Sequence, residues 1–279
     1  MILVDYNGIA FGALTANGYV SAPNLVKHLI LNILRIYNKK HKHQYGEMII
    51  CLDGKSWRRD VFPQYKYKRR ERKKADSNVD WNALFEILGD CSKDLNEHFP
   101  YTVLSHPNAE ADDIIAAMVK RYADKEPILI LSADKDFAQL QKYKNVKQFS
   151  PAIKKQIVEK NPERFLFEHI CRGDSSDGVP NILSPDNTFV DEIRQSPIRA
   201  TKLESWYNDR AMLASTLSVE EFRNFERNRL LIDLENTPEN ITAEILQQYE
   251  NRPEKNRSKI FPYLLKHQMR ELIKNIKDF

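Results

Sequence analysis

The sequence predicts an α/β fold, a mostly parallel sheet with helices on both faces, followed by a smaller helical region. Three observations carry this. Short apolar runs alternate with longer stretches of helical spacing through the first half of the chain. The runs are apolar throughout, as strands buried on both faces are, with no in-out alternation. After about Pro151 the alternation stops, and the pattern is mostly helical to the end.

Taken in order, Ile2-Leu3-Val4-Asp5 reads as a buried strand that ends on an acid. From Asn24 to Tyr37 the apolar residues Leu25, Val26, Leu29, Ile30, Ile33, Leu34 and Tyr37 recur at three and four residues, which makes one helix face. Met48–Asp53 is a second strand, again ending on aspartate. A basic segment follows, then a helix over Trp81–Phe99, a third strand at Tyr101–Leu104 and a helix over Ile114–Tyr122. Pro127–Ser132 is a fourth strand that runs into Ala133-Asp134-Lys135-Asp136. Further helices are expected at Pro162–Cys171, Val219–Asp233, Ala243–Tyr249 and Phe261–Ile276, with SPDNTF and NRPEKNR as loops. The expected division is an α/β domain over 1–155, carrying a basic segment at about 55–75, and a helical region over 156–279.

Composition narrows the function. The 279 residues are 42% hydrophobic and 29% charged, which suits a soluble globular protein. No run approaches the roughly 18 apolar residues of a membrane span. The opening MILVDYNGIA lacks the features of a secretory signal. Cys51, Cys91 and Cys171 lie far apart and form no CxxC pair, so neither zinc nor a disulfide framework is indicated and a reducing cytoplasm is expected. Eight glycines make neither a GxGxxG nor a P-loop, which excludes the common nucleotide-binding signatures. The seven histidines show no ligand pattern. His41 and His43 read as helix-dipole partners, and Trp81 and Trp206 as packing residues.

The net charge of +4 is unevenly placed. Residues 55–74, KSWRRDVFPQYKYKRRERKK, hold ten Lys and Arg against two acids, so the rest of the chain is mildly acidic. A concentrated basic segment is the footprint of a grip on a phosphate backbone. A solvated charged loop is the plainer reading of such a run, but interleaved Trp57, Tyr65 and Tyr67 favour nucleic acid. So much like charge also favours mobility without substrate.

Asp5, Asp53 and Asp134 each fall at the carboxyl end of an expected buried strand. In an open parallel sheet those ends share one edge, where ligands bind. Glu110-Ala111-Asp112-Asp113 opens a helix, Asp136 follows Asp134, and Gly173-Asp174-Ser175-Ser176-Asp177 opens the helical half. Each group alone has a plainer role: helix-dipole complement for Glu110–Asp113, a cap for Asp134, loop acids for Asp174 and Asp177. An acid at the end of a buried strand is harder to dismiss, because an unpaired charge there is costly. So many carboxylates in one cleft cannot all stay ionised without cations. Mg²⁺ suits carboxylate and water ligation beside substrate phosphates, and paired ions suit phosphoryl transfer.

The ordered set Asp5, Asp53, Glu110-Ala-Asp112-Asp113, Asp134-Lys-Asp136-Phe137 and Gly173-Asp174-Ser-Ser-Asp177 resembles the phage and bacterial 5′-nuclease (flap endonuclease) family. Within it, HLILN at 28–32, WRRD at 57–60, NVKQFSP at 145–151 and the final Ile276-Lys277-Asp278-Phe279 are most similar to the RNase H branch of T-even phages. The resemblance implies a PIN/5′-nuclease-like fold and a 5′ to 3′ exonuclease and flap endonuclease acting on DNA and RNA–DNA duplexes with 5′ ends or flaps. It also implies RNA-primer removal in replication and two Mg²⁺ per site, with Mn²⁺ able to substitute. By the same resemblance 1–155 is a catalytic domain, its basic segment at about 55–75 an arch, and 156–279 a DNA-binding region. By resemblance Asp5, Asp53, Glu110, Asp112 and Asp134 or Asp136 serve a first metal, and Asp113, Asp174 and Asp177 a second. Tyr65-Lys66-Tyr67-Lys68-Arg69 is similar to the family's Tyr-Lys-x-x-Arg element in an arch over the site. In that reading Lys66 contacts the scissile phosphate and joins Arg69, Asp53 and Asp134 as the catalytic group. Arg58, Arg59, Lys68, Arg69 and Arg70 grip neighbouring phosphates, and Tyr65 stacks on a terminal base.

There are departures. Gly178 stands where the family has Asn, and Val179-Pro180-Asn181-Ile182-Leu183 lacks the glycines of its helix–hairpin–helix, which puts a monovalent-ion site in doubt. The chain starts almost at strand one, so clamp contacts on an N-terminal extension are not expected. The implied setting is a monomer in a bacterial host cytoplasm, with single-strand-binding protein and a sliding clamp as partners. A Toprim-type enzyme would leave Asp5, Asp53, Asp174 and Asp177 idle. A binding protein that had lost catalysis would not need a carboxylate at every matched position.

Overall fold

A computed structural model of the chain describes residues 1–16, 22–76 and 79–279. Six strands form one sheet among the described residues: β1 Ile2–Asp5, β2 Met48–Leu52, β3 Thr102–Ser105, β4 Ile128–Leu131, β5 Val146–Ser150 and β6 Lys155–Ile157. Their order is β3-β2-β1-β4-β5-β6. All neighbours are parallel except the edge pair β5 and β6. The strand order reverses beside β1, with β2 on one flank and β4 on the other. That switch point opens a crevice outside the carboxyl ends of these strands.

The four strands expected from the sequence are present within a residue or two. β5 and β6 were not expected. Val146-Lys147-Gln148-Phe149-Ser150 carries a lysine and a glutamine, so its apolar signal is weak. Helices cover both faces, as parallel strands require. Ile2 and Val4 face the helices Pro23–Tyr45 and Trp81–His98, while Leu3 and Ile49 face the helix Ala111–Tyr122.

The chain after residue 155 does not form a separate core. Ile260, Leu264, Leu272 and Phe279 are buried in the same cluster as Ile2 and Val4. Ile241, Ile245 and Tyr249 join Leu3 and Ile130 on the opposite face. Only the middle of this region builds a cluster of its own, in which Phe167, Ile170, Trp206 and Phe225 pack around Phe62 and Tyr65 of the basic segment.

Three further expectations change. The helix expected over Phe261–Ile276 is broken into Ile260–Lys266 and Arg270–Lys274, with Gln268 between them in the left-handed region at φ 56°. The helix Ala200–Asn208 was not expected. The basic segment, expected to be mobile, is folded into the short helices Arg58–Val61 and Tyr67–Ala75. Residues 173–199 form turns and bends without a helix, pinned by Asn228 Nδ2, which donates to the carbonyls of Ile170 and Pro180 at 2.8 Å. The three cysteines are free and buried. Among the described residues no helix is long and apolar enough to cross a membrane.

Candidate active site

Strand ends deliver the first carboxylates. Asp5 closes β1, Asp53 follows β2, and Asp134 lies just beyond β4, as the sequence suggested. With Asp112 from the first turn of the helix Ala111–Tyr122 they line one cleft of about 390 Å³, which Lys66, Arg69, Arg72 and Lys73 also line. Asp136, Asp174 and Asp177 line an adjoining recess with Tyr65, and Asp112 lines both. The structure thus sorts seven of the nine acids into two groups that share Asp112.

Backbone and side-chain donors hold these acids in place. Asp5 accepts from Gly8 N at 2.9 Å and from Ser132 Oγ at 2.8 Å. Asp53 accepts from Ala111 N at 2.7 Å and from Asn7 Nδ2 at 2.6 Å. Asp134 does cap the short helix that follows, through Asp136 N at 2.9 Å, so the plainer role and the site role coexist. Gly173, at φ 68°, lets the chain turn so that Asp174 and Val179 bond backbone to backbone at 2.8 Å. A Cβ there would lie 2.4 Å from Val179 O. That turn presents Asp174 and Asp177.

Asp174 and Asp177 are ion-paired with Lys135 and Arg69, but the pKa values of Asp5, Asp112 and Asp136 are raised by burial and by neighbouring carboxylates. Burial and then Asp53 push Asp5 up to about 6. Burial and then Asp134 push Asp136 to about 7 and hold Asp112 well above the carboxylate range. Asp136 Oδ1 is buried with no hydrogen-bond partner. Hard divalent cations relieve this combination, and the donor set of carboxylate oxygens fits them.

Two expected ligands sit differently. Asp113 is fully buried and turned away from the cleft. Its oxygens accept from Glu110 N at 2.9 Å, Trp57 Nε1 at 3.2 Å, Thr237 Oγ1 at 2.9 Å and the Arg58 guanidinium at 2.9 Å. With its acceptor sites filled, it braces the helix start and is not available to a metal. Glu110 accepts from Ser56 Oγ at 2.8 Å and is ion-paired with Lys66. Burial would raise its pKa, but Lys66 and Arg58 outweigh burial and hold it low.

The basic segment is also corrected in part. Arg58 is 2% exposed, and its Nε donates to Leu231 O at 2.7 Å, so it is a buried brace and not a phosphate grip. Tyr65 is 3% exposed, with its hydroxyl 3.0 Å from Glu110 Oε2 and 2.9 Å from Asp177 Oδ2, which leaves no face for stacking on a base. Lys66 sits in the left-handed region at φ 55° and points its ammonium into the acids. Burial pulls that ammonium down, but Asp177 and Glu110 win and keep it charged. Arg69 pairs with Asp177 at 3.1 Å, Lys68 with Glu192 at 3.7 Å, and Arg70 donates to Tyr65 O. Arg59 is half-buried.

Sequence reading missed four neighbours. Asn7 holds Asp53, and Arg72 and Lys73 extend the basic lining of the cleft. Lys73 lies over the rings of Phe85, Trp81 and Phe11, at 4.5, 5.1 and 5.6 Å, so Trp81 belongs to the cleft as well as to packing. His169 lies between Asp136 and Asp174, contrary to the expectation that no histidine joins a ligand pattern. Only Lys73 and Arg72 had a signal, as members of the basic run.

Gly8 supplies a direct check of the geometry. A Cβ there would fall 2.3 Å from Asp5 Oδ2. Alanine in a helix otherwise stabilises by about 1 kcal/mol over glycine. Gly8→Ala is instead expected to destabilise by about 1–3 kcal/mol, because Asp5 must shift. Urea unfolding reads the sign, and a stabilised variant would mean that Asp5 is not where it is described.

Comparison with known proteins agrees along the whole length. Residues 1–168 match the family described as 5′-3′ exonuclease, N-terminal resolvase-like domain, and residues 160–279 match the one described as T4 RNase H, C terminal. The chain is 32% identical to ribonuclease H of Enterobacteria phage T4, over 99% of this chain and 95% of that protein. It is 30% identical over 151 residues to flap endonuclease Xni of Shewanella piezotolerans, covering 50% of this chain and 55% of that one. Among solved structures, a bacteriophage T5 flap endonuclease in a pseudo-enzyme–product complex with DNA and metal ions superposes with a TM-score of 0.64 at 18% identity, covering 90% of this chain and 99% of that one. A T5 5′-exonuclease with zinc bound gives 0.64 at 16% identity, with 90% and 98% coverage.

Proposed function

Because the chain belongs to the 5′-3′ exonuclease family, we propose that it is a Mg²⁺-dependent 5′ to 3′ exonuclease and flap endonuclease that removes RNA primers during DNA replication. The observation that carries this is one cleft lined by both Asp5, Asp53, Asp112 and Asp134 and by Lys66, Arg69, Arg72 and Lys73. The acids suit divalent cations, and the basic side chains suit the phosphates on which they act. In this reading Asp5, Asp53, Asp112 and Asp134 hold one ion, and Asp136 and Asp177 hold a second. Asp174, already bonded to Lys135, Ser176 and His169, orients that second site. Glu110 is released to the first group when Lys66 turns to phosphate. Mn²⁺ substitutes for Mg²⁺.

When bound, the ions supply a more acidic water and neutralise charge on the phosphate oxygens. The chain's own residues do the rest. The carboxylates place the ions, Ser132 and Asn7 fix the orientation of Asp5 and Asp53, and the Lys66 ammonium donates to a non-bridging phosphate oxygen, where charge grows in the transition state. Arg69, Lys68 and Arg70 hold the neighbouring phosphates. Residues 1–155 carry this chemistry, and 156–279 supply the turn bearing Asp174 and Asp177 and hold duplex. Working partners in this reading are DNA and RNA–DNA duplexes with 5′ ends or flaps, single-strand-binding protein and a sliding clamp, with the enzyme a monomer in the host cytoplasm.

The test is cleavage of a 5′-labelled flap duplex and a 5′-recessed RNA–DNA duplex, with Mg²⁺ and with EDTA. Short 5′ products are expected only with Mg²⁺. Tight binding with no products in either condition would make the chain a binding module and end the catalytic assignment.

A further inference from the structure

His169 is on the helix Pro162–Arg172, 8% exposed, between two of the acids. Its Nε2 is 3.1 Å from Asp174 Oδ2, and its Nδ1 is 3.5 Å from Asp136 Oδ1. One ligand atom from each of Asp136, His169 and Asp174 falls within 4.8 Å of the others. His169 Nδ1 has no hydrogen-bond partner, and neither has Asp136 Oδ1, although both are buried. Unsatisfied buried atoms are few in folded proteins, and two that face each other need a common cause.

We propose that His169 Nδ1 and Asp136 Oδ1 are both ligands of one divalent cation, so that the second ion site contains a nitrogen donor among its oxygens. The inference rests on the reading of this acidic edge as a metal site, and it adds to that site a residue type that the carboxylate pattern does not contain. A metal-binding histidine almost always gives its other ring N–H to a carboxylate, a backbone carbonyl or a water, which fixes tautomer and ring orientation. Asp174 is that partner. Its Oδ2 faces Nε2 and pairs with Lys135 Nζ at 2.9 Å, and its Oδ1 accepts from Ser176 N at 2.8 Å, Ser176 Oγ at 2.6 Å and Asp177 N at 3.2 Å.

An imidazolium shared between the two aspartates explains the Nε2 contact and makes Nδ1 and Oδ1 a loose ion pair at 3.5 Å, but it leaves both atoms without a hydrogen bond. A bridging cation explains both, since adjacent ligands in an octahedral shell lie roughly 3 Å apart. Nitrogen ligation also changes preference. Imidazole favours first-row transition ions over Mg²⁺, so this site ranks Mn²⁺ further above Mg²⁺ than oxygen ligands alone do.

The experiment is pulsed EPR (electron spin echo envelope modulation) on the full chain loaded with Mn²⁺, without nucleic acid. It is repeated on protein labelled with ¹⁵N-histidine and on His169→Gln. Modulation from a directly bound nitrogen is expected in the wild type. It should change to the ¹⁵N pattern on labelling and vanish in His169→Gln, with Mn²⁺ affinity about tenfold weaker. Labelling leaves the fold untouched, so the test stands even if the variant unfolds. Bound Mn²⁺ without nitrogen modulation would overturn the proposal and leave the metal-dependent nuclease reading intact. Modulation surviving in His169→Gln would overturn it in favour of another histidine. No Mn²⁺ binding at all would overturn both it and the metal reading beneath it.

Discussion

Asp134→Asn is expected to lower the cleavage rate about a hundredfold or more, with folding and nucleic-acid binding kept. Even residues that only orient metal ligands cost 10–100-fold when replaced, and a direct ligand costs at least as much. The side chain is exposed at the cleft, and its structural duty is to accept from Asp136 N at 2.9 Å. Asparagine keeps an acceptor oxygen at that position and is as good a cap, so the helix that follows is preserved. The lost charge also removes repulsion that raises Asp112 and Asp136, so the metal-free protein should be no less stable. Single-turnover cleavage at saturating enzyme, beside melting and filter binding, separates these effects. An undiminished rate would remove Asp134 from the ligand set.

Arg58→Ala has the largest expected effect on stability, about 3–5 kcal/mol. Removing one partner of a buried ion pair leaves the other charge uncompensated. Here that charge is Asp113, fully buried, and Leu231 O loses its donor as well. Burial works against the Arg58 guanidinium, but Asp113, Tyr65 and Glu110 hold its pKa above the ordinary value. Urea unfolding measures the loss. A variant that folds normally and binds DNA more weakly would restore Arg58 as a surface phosphate contact, as the charge run alone suggested.

The α/β frame was legible because apolar runs ending in acids leave few alternatives to buried strands of a parallel sheet. The first group of acids was legible for the same reason, since Asp5, Asp53 and Asp134 mark strand ends. β5 was hidden by Lys147 and Gln148, whose side chains break the apolar run although Gln148 is buried and bonded to Ser132 O and Asp134 O. The return of Phe279 and Leu272 into the first core was hidden too. Helical spacing says that a face is buried but not against what. Arg58 and Tyr65 were misread because a basic run is taken as surface. Their burial depends on Asp113, Glu110 and Asp177, which are distant in sequence. His169 was missed for the same reason, as Asp136 is remote from it along the chain and only folding sets them face to face.

In the proposed function divalent ions complete this acidic edge. Asp136, raised to about 7, and Asp5, raised to about 6, are partly protonated at slightly acidic pH, where ordinary carboxylates are ionised, and burial shifts Asp112 in the same direction. Cation binding needs those groups ionised, so it must expel the protons. Calorimetric titration of Mg²⁺ at slightly acidic pH, in buffers of different ionisation enthalpy, measures ions bound and protons released together. Two ions per chain are expected, with on the order of one proton or more released and less release as pH rises. No binding, or binding with no proton release at any pH, would contradict the account.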